Sequence, residues 1–410
     1  MVLLTTLIRF LAVAAVVAAA PQPFKVAFDA DDVQRMKDLT KGTLLPEKAL
    51  YSATSSQFGI SYNKLAEMKS LLENLDTNAL QDKLNGEPMF TSVIDGYTIQ
   101  YVHKQAADPS KAIPIILSHG WPGTWYEYYP VIDALVKGDG KGGPTFNVVV
   151  PSTPGFGYST NPGPNFTNYD TAELYHKLMT QELGYKNYGA AGGDFGGVTT
   201  YGLYNNHSEC ALAHFWTLPY FPLTFDMLKQ QYPIEAARLT SFEVNGQQIT
   251  NEWLLKQMGY FQEQAFRPAT IGLALQDNPV GQLAWIGEKY VSWSDPAAGS
   301  ASIGSQFDTQ RMVEFIAIYY LSKTFQSSVF QYTRSGNDFL LTASKSQSKR
   351  PFAQSVFNYE ILRVPKFYTE RLGNLQYYNT HGHGGHFPGT DQPNAVIADL
   401  RESFAKLYRP

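Results

Sequence analysis

Apolar positions along the chain follow two different periods, and each period predicts its own kind of secondary structure. Short apolar runs at residues 113–118, 146–151 and 188–193 are strand candidates, and each run ends in a turn. Two of these turns lead into helix-like segments, an alternation that predicts a largely parallel α/β sheet. Residues 221–335 carry a helical period without clear strands, so we interpret them as a helical insertion.

A separate module precedes the first of these strands, within residues 21–110. An Asp-rich cap at residues 29–32 predicts a helix that runs to about Leu39. Residues 61–84 are also helical in pattern. Apolar and polar residues then alternate through residues 90–103, which predicts a strand pair that turns at its central Asp-Gly.

Residues 1–20 are predominantly apolar, are interrupted by Arg9, and end in three alanines before Pro21. This pattern is typical of a secretory signal peptide that is cleaved near Ala20. The alternative is an uncleaved membrane anchor, but the apolar run after Arg9 is short for a span of about 20 residues. We therefore expect a secreted protein, or one in the lumen of the secretory pathway, with no stable membrane insertion after cleavage.

The composition narrows the possible functions further. The chain has 32 Lys and Arg against 36 Asp and Glu, and the resulting net charge of −4 argues against a nucleic-acid partner. The single cysteine, Cys210, excludes an intramolecular disulfide and a multi-thiolate zinc site. Asn165 and Asn206 each begin an Asn-X-Ser/Thr triplet, so both are candidate glycosylation sites.

The strongest chemical motif is GGDFGG at residues 192–197, which follows a predicted strand and precedes a helix-like run. Small residues around a central acid predict a sharp strand-to-helix turn that exposes the side chain of Asp194. This is the pattern of the nucleophile elbow in α/β-hydrolases. The alternative is a glycine-rich turn in which the aspartate only caps the helix.

The loop HGWPG at residues 119–123 directly follows another predicted strand. In an α/β-hydrolase this loop supplies one backbone N–H of the oxyanion hole, and the residue after the nucleophile supplies the other. We therefore expect these donors at Trp121 and Phe195. The alternative is an ordinary turn at the end of a strand.

Three histidines, His381, His383 and His386, lie close together near the C-terminus. A histidine here follows the elbow in chain order, as the base of a hydrolase should. Such a cluster also suggests a metal site, but no thiolate and no clear carboxylate stands beside it in the sequence. We therefore expect no metal.

An aspartate at the elbow changes the class of reaction. A carboxylate that attacks a saturated carbon forms an alkyl ester, which water cleaves at the carboxylate's own carbonyl. The substrate then needs a leaving group, such as an epoxide oxygen or a halide. Phe195 rather than tryptophan follows Asp194, and the insertion is rich in tyrosine, a suitable proton donor to an epoxide oxygen. Both observations favour an epoxide.

The order of the Trp121 loop, the Asp194 elbow and His386 resembles the microsomal-type epoxide hydrolases. Four segments carry this resemblance: residues 119–135, 148–159, 192–197 and 267–293. It implies an α/β fold with an N-terminal epoxide-hydrolase-like meander module (21–110), an α/β-hydrolase core in two parts (111–220 and 336–410) and a helical lid (221–335).

The resemblance also implies a role for particular residues. Asp194 matches the nucleophile, His386 the base and Glu360 the charge-relay acid, whereas Tyr260 and Tyr332 match the ring-opening tyrosines of the lid. The implied reaction converts a small apolar epoxide and water to a vicinal diol through an aspartyl alkyl ester, without a cofactor. A haloalkane dehalogenase, an epoxide-opening cyclase and a non-catalytic ligand-binding relative remain alternatives, because function depends on the site rather than on the fold.

Overall fold

The computed structural model describes residues 20–218, 223–334 and 346–410. The predicted signal peptide, apart from its last residue, lies outside the described residues. Within them, no helix is long and apolar enough to cross a membrane.

Nine strands form one mixed sheet in the spatial order β1-β2-β3-β5-β4-β6-β7-β8-β9. Their bounds are Gln22–Phe24 (β1), Met89–Ile94 (β2), Tyr97–Lys104 (β3), Ile113–Ser118 (β4), Phe146–Pro151 (β5), Tyr188–Gly192 (β6), Cys210–Phe215 (β7), Pro351–Phe357 (β8) and Asn374–His381 (β9). The first three strands pair antiparallel, and β3 joins β5 in the same sense. The other six run parallel to one another, which confirms the predicted largely parallel sheet.

The parallel strands place their carboxyl ends at one edge of the sheet, where open α/β sheets bind ligands. Strands β5, β6 and β7 are buried along their whole length, because helices cover both faces of the sheet. Strand β7 was not predicted from the sequence; only three residues separate it from the helix Asp194–Asn206, and it has a polar residue, His214, within its apolar run.

Helices in the N-terminal module and the core span Ala30–Gly42, Tyr62–Glu73, Thr77–Asn85, Tyr129–Lys137, Asn168–Lys177, Asp194–Asn206, Lys366–Thr369, Pro388–Asp391 and Pro393–Leu407. The prediction of one helical stretch through residues 61–84 was wrong in one respect. The chain leaves the helix after Glu73, and Asp76 begins a second helix by accepting a hydrogen bond from the Ala79 N–H at 2.9 Å.

Between β7 and β8 the described chain is helical, as the sequence predicts for residues 221–335. The helices there are Phe225–Gln231, Pro233–Ala236, Ser241–Lys256, Gly259–Phe266, Pro268–Gln276, Pro279–Ser292, Thr309–Leu321 and Phe325–Val329, followed by a 3₁₀ turn at Phe330–Arg334. The N-terminal module packs against this lid, and the Lys83 ammonium contacts the Glu314 carboxylate at 2.7 Å. The lid also shares one hydrophobic cluster with the sheet, which includes Trp121, Tyr260 and Tyr332. The lid therefore lies directly over the strand ends near Trp121.

Candidate active site

Asp194 lies at a sharp turn between β6 and the helix Asp194–Asn206. Its φ of 53° falls in the left-handed region, which costs a non-glycine residue about 1–3 kcal/mol. The turn also brings backbones together, because a Cβ added at Gly196 would lie 2.1 Å from the Ser118 carbonyl oxygen. Only glycine at 196 allows this approach, so the GGDFGG sequence accounts for the exposed position of the Asp194 carboxylate.

The Asp194 carboxylate faces backbone N–H groups at the end of β4. The Trp121 N–H donates a hydrogen bond to Asp194 Oδ1 at 2.9 Å. Phe195 occupies the first turn of the helix that Asp194 begins, where peptide dipoles favour negative charge. Negative charge on an oxygen at this position therefore meets an electropositive backbone.

His386 lies between two carboxylates. Its Nδ1–H donates to Glu360 Oε1 at 2.8 Å, and its Nε2 lies 3.5 Å from Asp194 Oδ2. His386 and Glu360 are both buried, whereas the Asp194 side chain is 18% exposed. The bond to Glu360 orients the ring so that Nε2 faces the carboxylate at the elbow.

The Glu360 carboxylate is itself held by two donors. The Thr217 hydroxyl donates to Oε2 at 2.7 Å, and the Leu362 N–H donates to Oε1 at 2.8 Å. Thr217 follows β7 and Glu360 follows β8, so two adjacent strand ends fix this group. The sequence analysis missed Thr217, because no local pattern marks a single threonine after an unrecognised strand.

The two carboxylates decide the charge of His386. Burial lowers the pKa of the imidazole, but Glu360 and Asp194 outweigh this effect and raise the pKa to about 10. At neutral pH the ring is therefore an imidazolium. Loss of the Asp194 charge would remove one of the two attractions that stabilise the imidazolium, and so would lower the pKa of His386.

The loop before His386 is fixed by the lid and by the following helix. The His386 N–H donates to the Trp293 carbonyl oxygen at 2.8 Å, and the Gly384 N–H donates to Asp295 at 2.9 Å. The Gly385 N–H donates to Asp391 at 2.9 Å. These bonds give a glycine-rich segment one defined position, which its sequence alone does not suggest.

The three histidines of this region point to three different carboxylates. His381 pairs with Asp399 at 2.6 Å and His383 with Asp295 at 3.0 Å, whereas His386 pairs with Glu360. Across residues 20–218, 223–334 and 346–410, no group of three or more His, Cys, Asp or Glu side chains has the geometry to hold a metal ion.

Tyr260 and Tyr332 are buried on the lid side of the site, and their ring centroids are 5.9 Å apart. The Trp121 ring stacks on Tyr260 at 5.6 Å and meets Tyr332 edge-on at 5.5 Å. The ring centroids of Phe195 and Tyr332 are 4.8 Å apart. The structure thus brings both predicted tyrosines beside the Trp121 loop and the elbow.

Both phenols stay protonated in this environment. Burial raises the pKa of Tyr260 well above its ordinary value, and the negative charge of Asp194 adds to the rise. Burial likewise raises the pKa of Tyr332, with contributions from Tyr260 and Asp194. The two neutral phenols therefore pack against Trp121, whose backbone N–H donates to the Asp194 side chain that His386 also contacts.

Comparisons with known proteins agree with this geometry. A family model described as "Epoxide hydrolase N terminus" matches residues 21–128, and one described as "alpha/beta hydrolase fold" matches residues 113–209. The chain is 33% identical over 402 residues to a Stigmatella aurantiaca protein whose name assigns it to the epoxide hydrolases; the match covers 94% of this chain and 85% of the relative. It is 26% identical over 422 residues to epoxide hydrolase 1 of Sus scrofa, covering 94% and 89%.

Two solved structures share the architecture. The epoxide hydrolase of Aspergillus niger superposes with a TM-score of 0.81 at 26% identity, over 95% of this chain and 97% of that chain. The juvenile hormone epoxide hydrolase of the silkworm Bombyx mori gives a TM-score of 0.84 at 22% identity, over 94% of each chain, and so supports the fold alone. These likenesses confirm the α/β-hydrolase fold that the elbow predicted. From the identity shared with the Stigmatella protein along nearly the whole sequence, the chain belongs to the epoxide hydrolase family.

Proposed function

We propose that this epoxide hydrolase opens its substrate by attack of the Asp194 carboxylate on a ring carbon. The ring C–O bond breaks as the Asp194 O–C bond forms, and Tyr260 and Tyr332 donate to the leaving oxygen. The product of this step is an alkyl ester on Asp194. The observation that carries the proposal is the pair of protonated phenols packed on the Trp121 ring, whose backbone N–H donates to the Asp194 side chain at the strained elbow.

Hydrolysis of the ester follows from the coupling between Asp194 and His386. Ester formation removes the charge on Asp194 and so lowers the pKa of His386. The imidazolium gives up its proton and so replaces the one that the ring-opened oxygen takes from the tyrosines. The neutral ring then accepts a proton from water. The water oxygen bonds to the ester carbonyl carbon, and the Trp121 and Phe195 N–H groups stabilise the oxyanion. Collapse breaks the bond to the alkyl oxygen, which takes a proton as the diol leaves, and Glu360 keeps the ring oriented throughout.

The roles of Asp194 and water are separable by isotope labelling. With enzyme in excess over substrate in water that carries heavy oxygen, the first turnover should give an unlabelled diol. The label should instead enter the Asp194 carboxylate, measured by mass spectrometry of the peptide that contains it. Label in the diol of the first turnover would contradict covalent catalysis, and repeated turnover serves as the control because it must label the diol.

A small apolar epoxide is the substrate class that best suits the side chains around these groups. The side chains around the proposed reacting groups are aromatic: Trp121, Phe195, Phe261 and Trp293. Such walls favour an apolar substrate body, while the Tyr260 and Tyr332 hydroxyls provide donors for the epoxide oxygen. A panel of aryl and aliphatic epoxides, assayed for diol formation, should show lower KM values for the apolar members.

We further propose that the chain enters the secretory pathway, where its signal peptide is removed and its sequons are glycosylated. Asn165 and Asn206 are both exposed, as modification requires. Expression in a secreting eukaryotic cell should release a protein that begins near Pro21 and that loses mass on treatment with an N-glycosidase. Asn165→Gln and Asn206→Gln variants identify the modified site, and a cell-retained protein with an intact N-terminus would favour the membrane anchor.

A further inference from the structure

A small cavity lies beside the Asp194 side chain. Its lining includes Gly120, Gly123, Glu127, Asp194 and His386. The space open to the centre of a water-sized molecule is about 10 Å³, which is room for about one water. None of the functions assigned above uses Glu127, although its carboxyl group is one of three acids near His386.

Two glycines of the HGWPG loop make room for two carboxyl groups at this cavity. A Cβ added at Gly120 would lie 2.2 Å from Asp194 Oδ1, and a Cβ added at Gly123 would lie 2.8 Å from Glu127 Oε2. The same loop therefore accommodates the elbow carboxylate at one glycine and the Glu127 carboxyl at the other. The absence of a side chain at Gly123 therefore lets the Glu127 carboxyl group line the cavity.

Contacts with the segment that follows His386 hold Glu127 in position. It lies in the 3₁₀ turn Trp125–Tyr128, is 4% exposed, and accepts a hydrogen bond at its carbonyl oxygen from the Thr390 hydroxyl at 2.8 Å. The backbone N–H of Gly389 interacts with its carboxyl group. Both Gly389 and Thr390 follow His386 closely, so the base and Glu127 are fixed to one another.

The protonation state of Glu127 suits a water ligand. Burial raises the pKa of its carboxyl group to about 8; His386 opposes this rise, whereas Asp194 and Glu360 add to it. At neutral pH the group is therefore a neutral acid with one O–H donor and a carbonyl acceptor. His386 lines the same cavity, and its Nε2 lies 3.5 Å from Asp194 Oδ2.

We propose that Glu127 is a positioning residue that holds the hydrolytic water next to His386 Nε2 and the carbonyl carbon of the Asp194 ester. This inference rests on the proposed function. The water proton passes to His386 Nε2 while the water oxygen bonds to the ester carbon. The alkyl oxygen then leaves and takes that proton from His386, and the carboxyl group regenerated on Asp194 passes the second water proton to His386. Glu127 neither gains nor loses a proton over the cycle.

Single-turnover kinetics on Glu127→Leu and Glu127→Gln test this role, because they separate ester formation from ester hydrolysis. The Leu variant should form the ester at the wild-type rate and hydrolyse it about 10²-fold more slowly, the scale expected when a reacting group is misplaced. The ester should then accumulate and appear in intact-mass spectra. The Gln variant should largely restore hydrolysis, since an amide reproduces the donor and acceptor of a neutral acid.

Two further variants make the test decisive. Glu87→Gln is the matched control, because Glu87 is also a buried glutamate but pairs with Lys104 in the N-terminal module; it should leave both steps unchanged. Gly123→Ala should displace the Glu127 carboxyl group and slow hydrolysis selectively, and it decides the matter if the Leu variant does not fold.

The inference is overturned if the Leu and Gly123→Ala variants hydrolyse the ester at the wild-type rate. It is also overturned if they slow both steps equally, since a packing defect would act on both. A failure of the proposed function looks different, because His386→Gln would then accumulate no ester at all.

Discussion

The proposed reacting groups come from two regions of the molecule that are built on different principles. Asp194, Glu360 and His386 follow parallel strands of the core, and hydrogen bonds to backbone and side-chain groups fix each of them. Tyr260 and Tyr332 belong to lid helices or turns, and aromatic rings surround them. The core therefore fixes charges by directional bonds, whereas the lid fixes neutral donors by packing.

The two kinds of support suit the two chemical steps of the proposed reaction. The strand ends hold the groups whose charge changes during the cycle, because fixed dipoles and carboxylates control protonation there. The lid holds groups that stay protonated, because burial raises the pKa of both tyrosines. We therefore expect core variants to affect ester formation or hydrolysis according to their charge, and lid variants to affect ester formation alone.

The two regions are nevertheless mechanically joined. The lid residues Trp293 and Asp295 accept hydrogen bonds from the backbone of the His386 loop. The position of the base thus depends on the lid as well as on the sheet.

The largest expected effect belongs to Asp194→Ala. It removes the only proposed nucleophile, so diol formation should cease while the fold remains. Product analysis checks the activity and circular dichroism checks the fold. Retained diol formation by a protein with the wild-type spectrum would reject the assignment; Asp194→Asn is a weaker test, because an activated water can slowly regenerate the aspartate.

His386→Gln should separate the two steps within the core. Ester formation needs Asp194 and the tyrosines, whereas hydrolysis needs a base, so hydrolysis should slow by about 10²- to 10⁴-fold. Intact mass after mixing with substrate should then reveal a protein heavier by one substrate molecule. A variant that binds substrate yet gives no adduct would show that His386 is not the hydrolytic base.

The lid is tested with Tyr260→Phe, Tyr332→Phe and the double variant, which keep the rings and remove the hydroxyls. Each single change should slow ester formation on the order of 10²-fold, by analogy with loss of one oxyanion-hole donor, and the double change should nearly stop it. Hydrolysis of a preformed ester should change much less. Full rates of ester formation in the double variant would refute tyrosine assistance.

The smallest effect is expected in the pH dependence of stability. The folded protein raises the pKa of His386 from 6.5 to about 10, so the folded state holds this proton more tightly than the unfolded state. The resulting stabilisation is fully present below pH 6.5 and is lost as the pH rises through 10. Denaturant unfolding should therefore show a steeper loss of stability across this range in the wild type than in His386→Gln; equal slopes would contradict the raised pKa.

The sequence alone was enough to predict elements whose pattern involves only neighbouring residues. The alternation at residues 90–103 predicted the pairing of β2 with β3, since a period of two and a central Asp-Gly specify a hairpin without help from distant residues. GGDFGG likewise predicted the turn after β6, because only small residues permit such close backbone approaches. The expectation of an alkyl-ester intermediate followed from one residue type, because an aspartate stands at that turn.

Only the tertiary structure determined the features that depend on contacts between segments far apart in the chain. Asp76 divides residues 61–84 into two helices, although the apolar pattern continues across the break. The contact of Thr217 with Glu360 and the position of Glu127 beside His386 join residues far apart in the chain. Periodicity reports which face of an element is buried, but a buried polar group is defined by its partners, and only the folded chain brings those partners together.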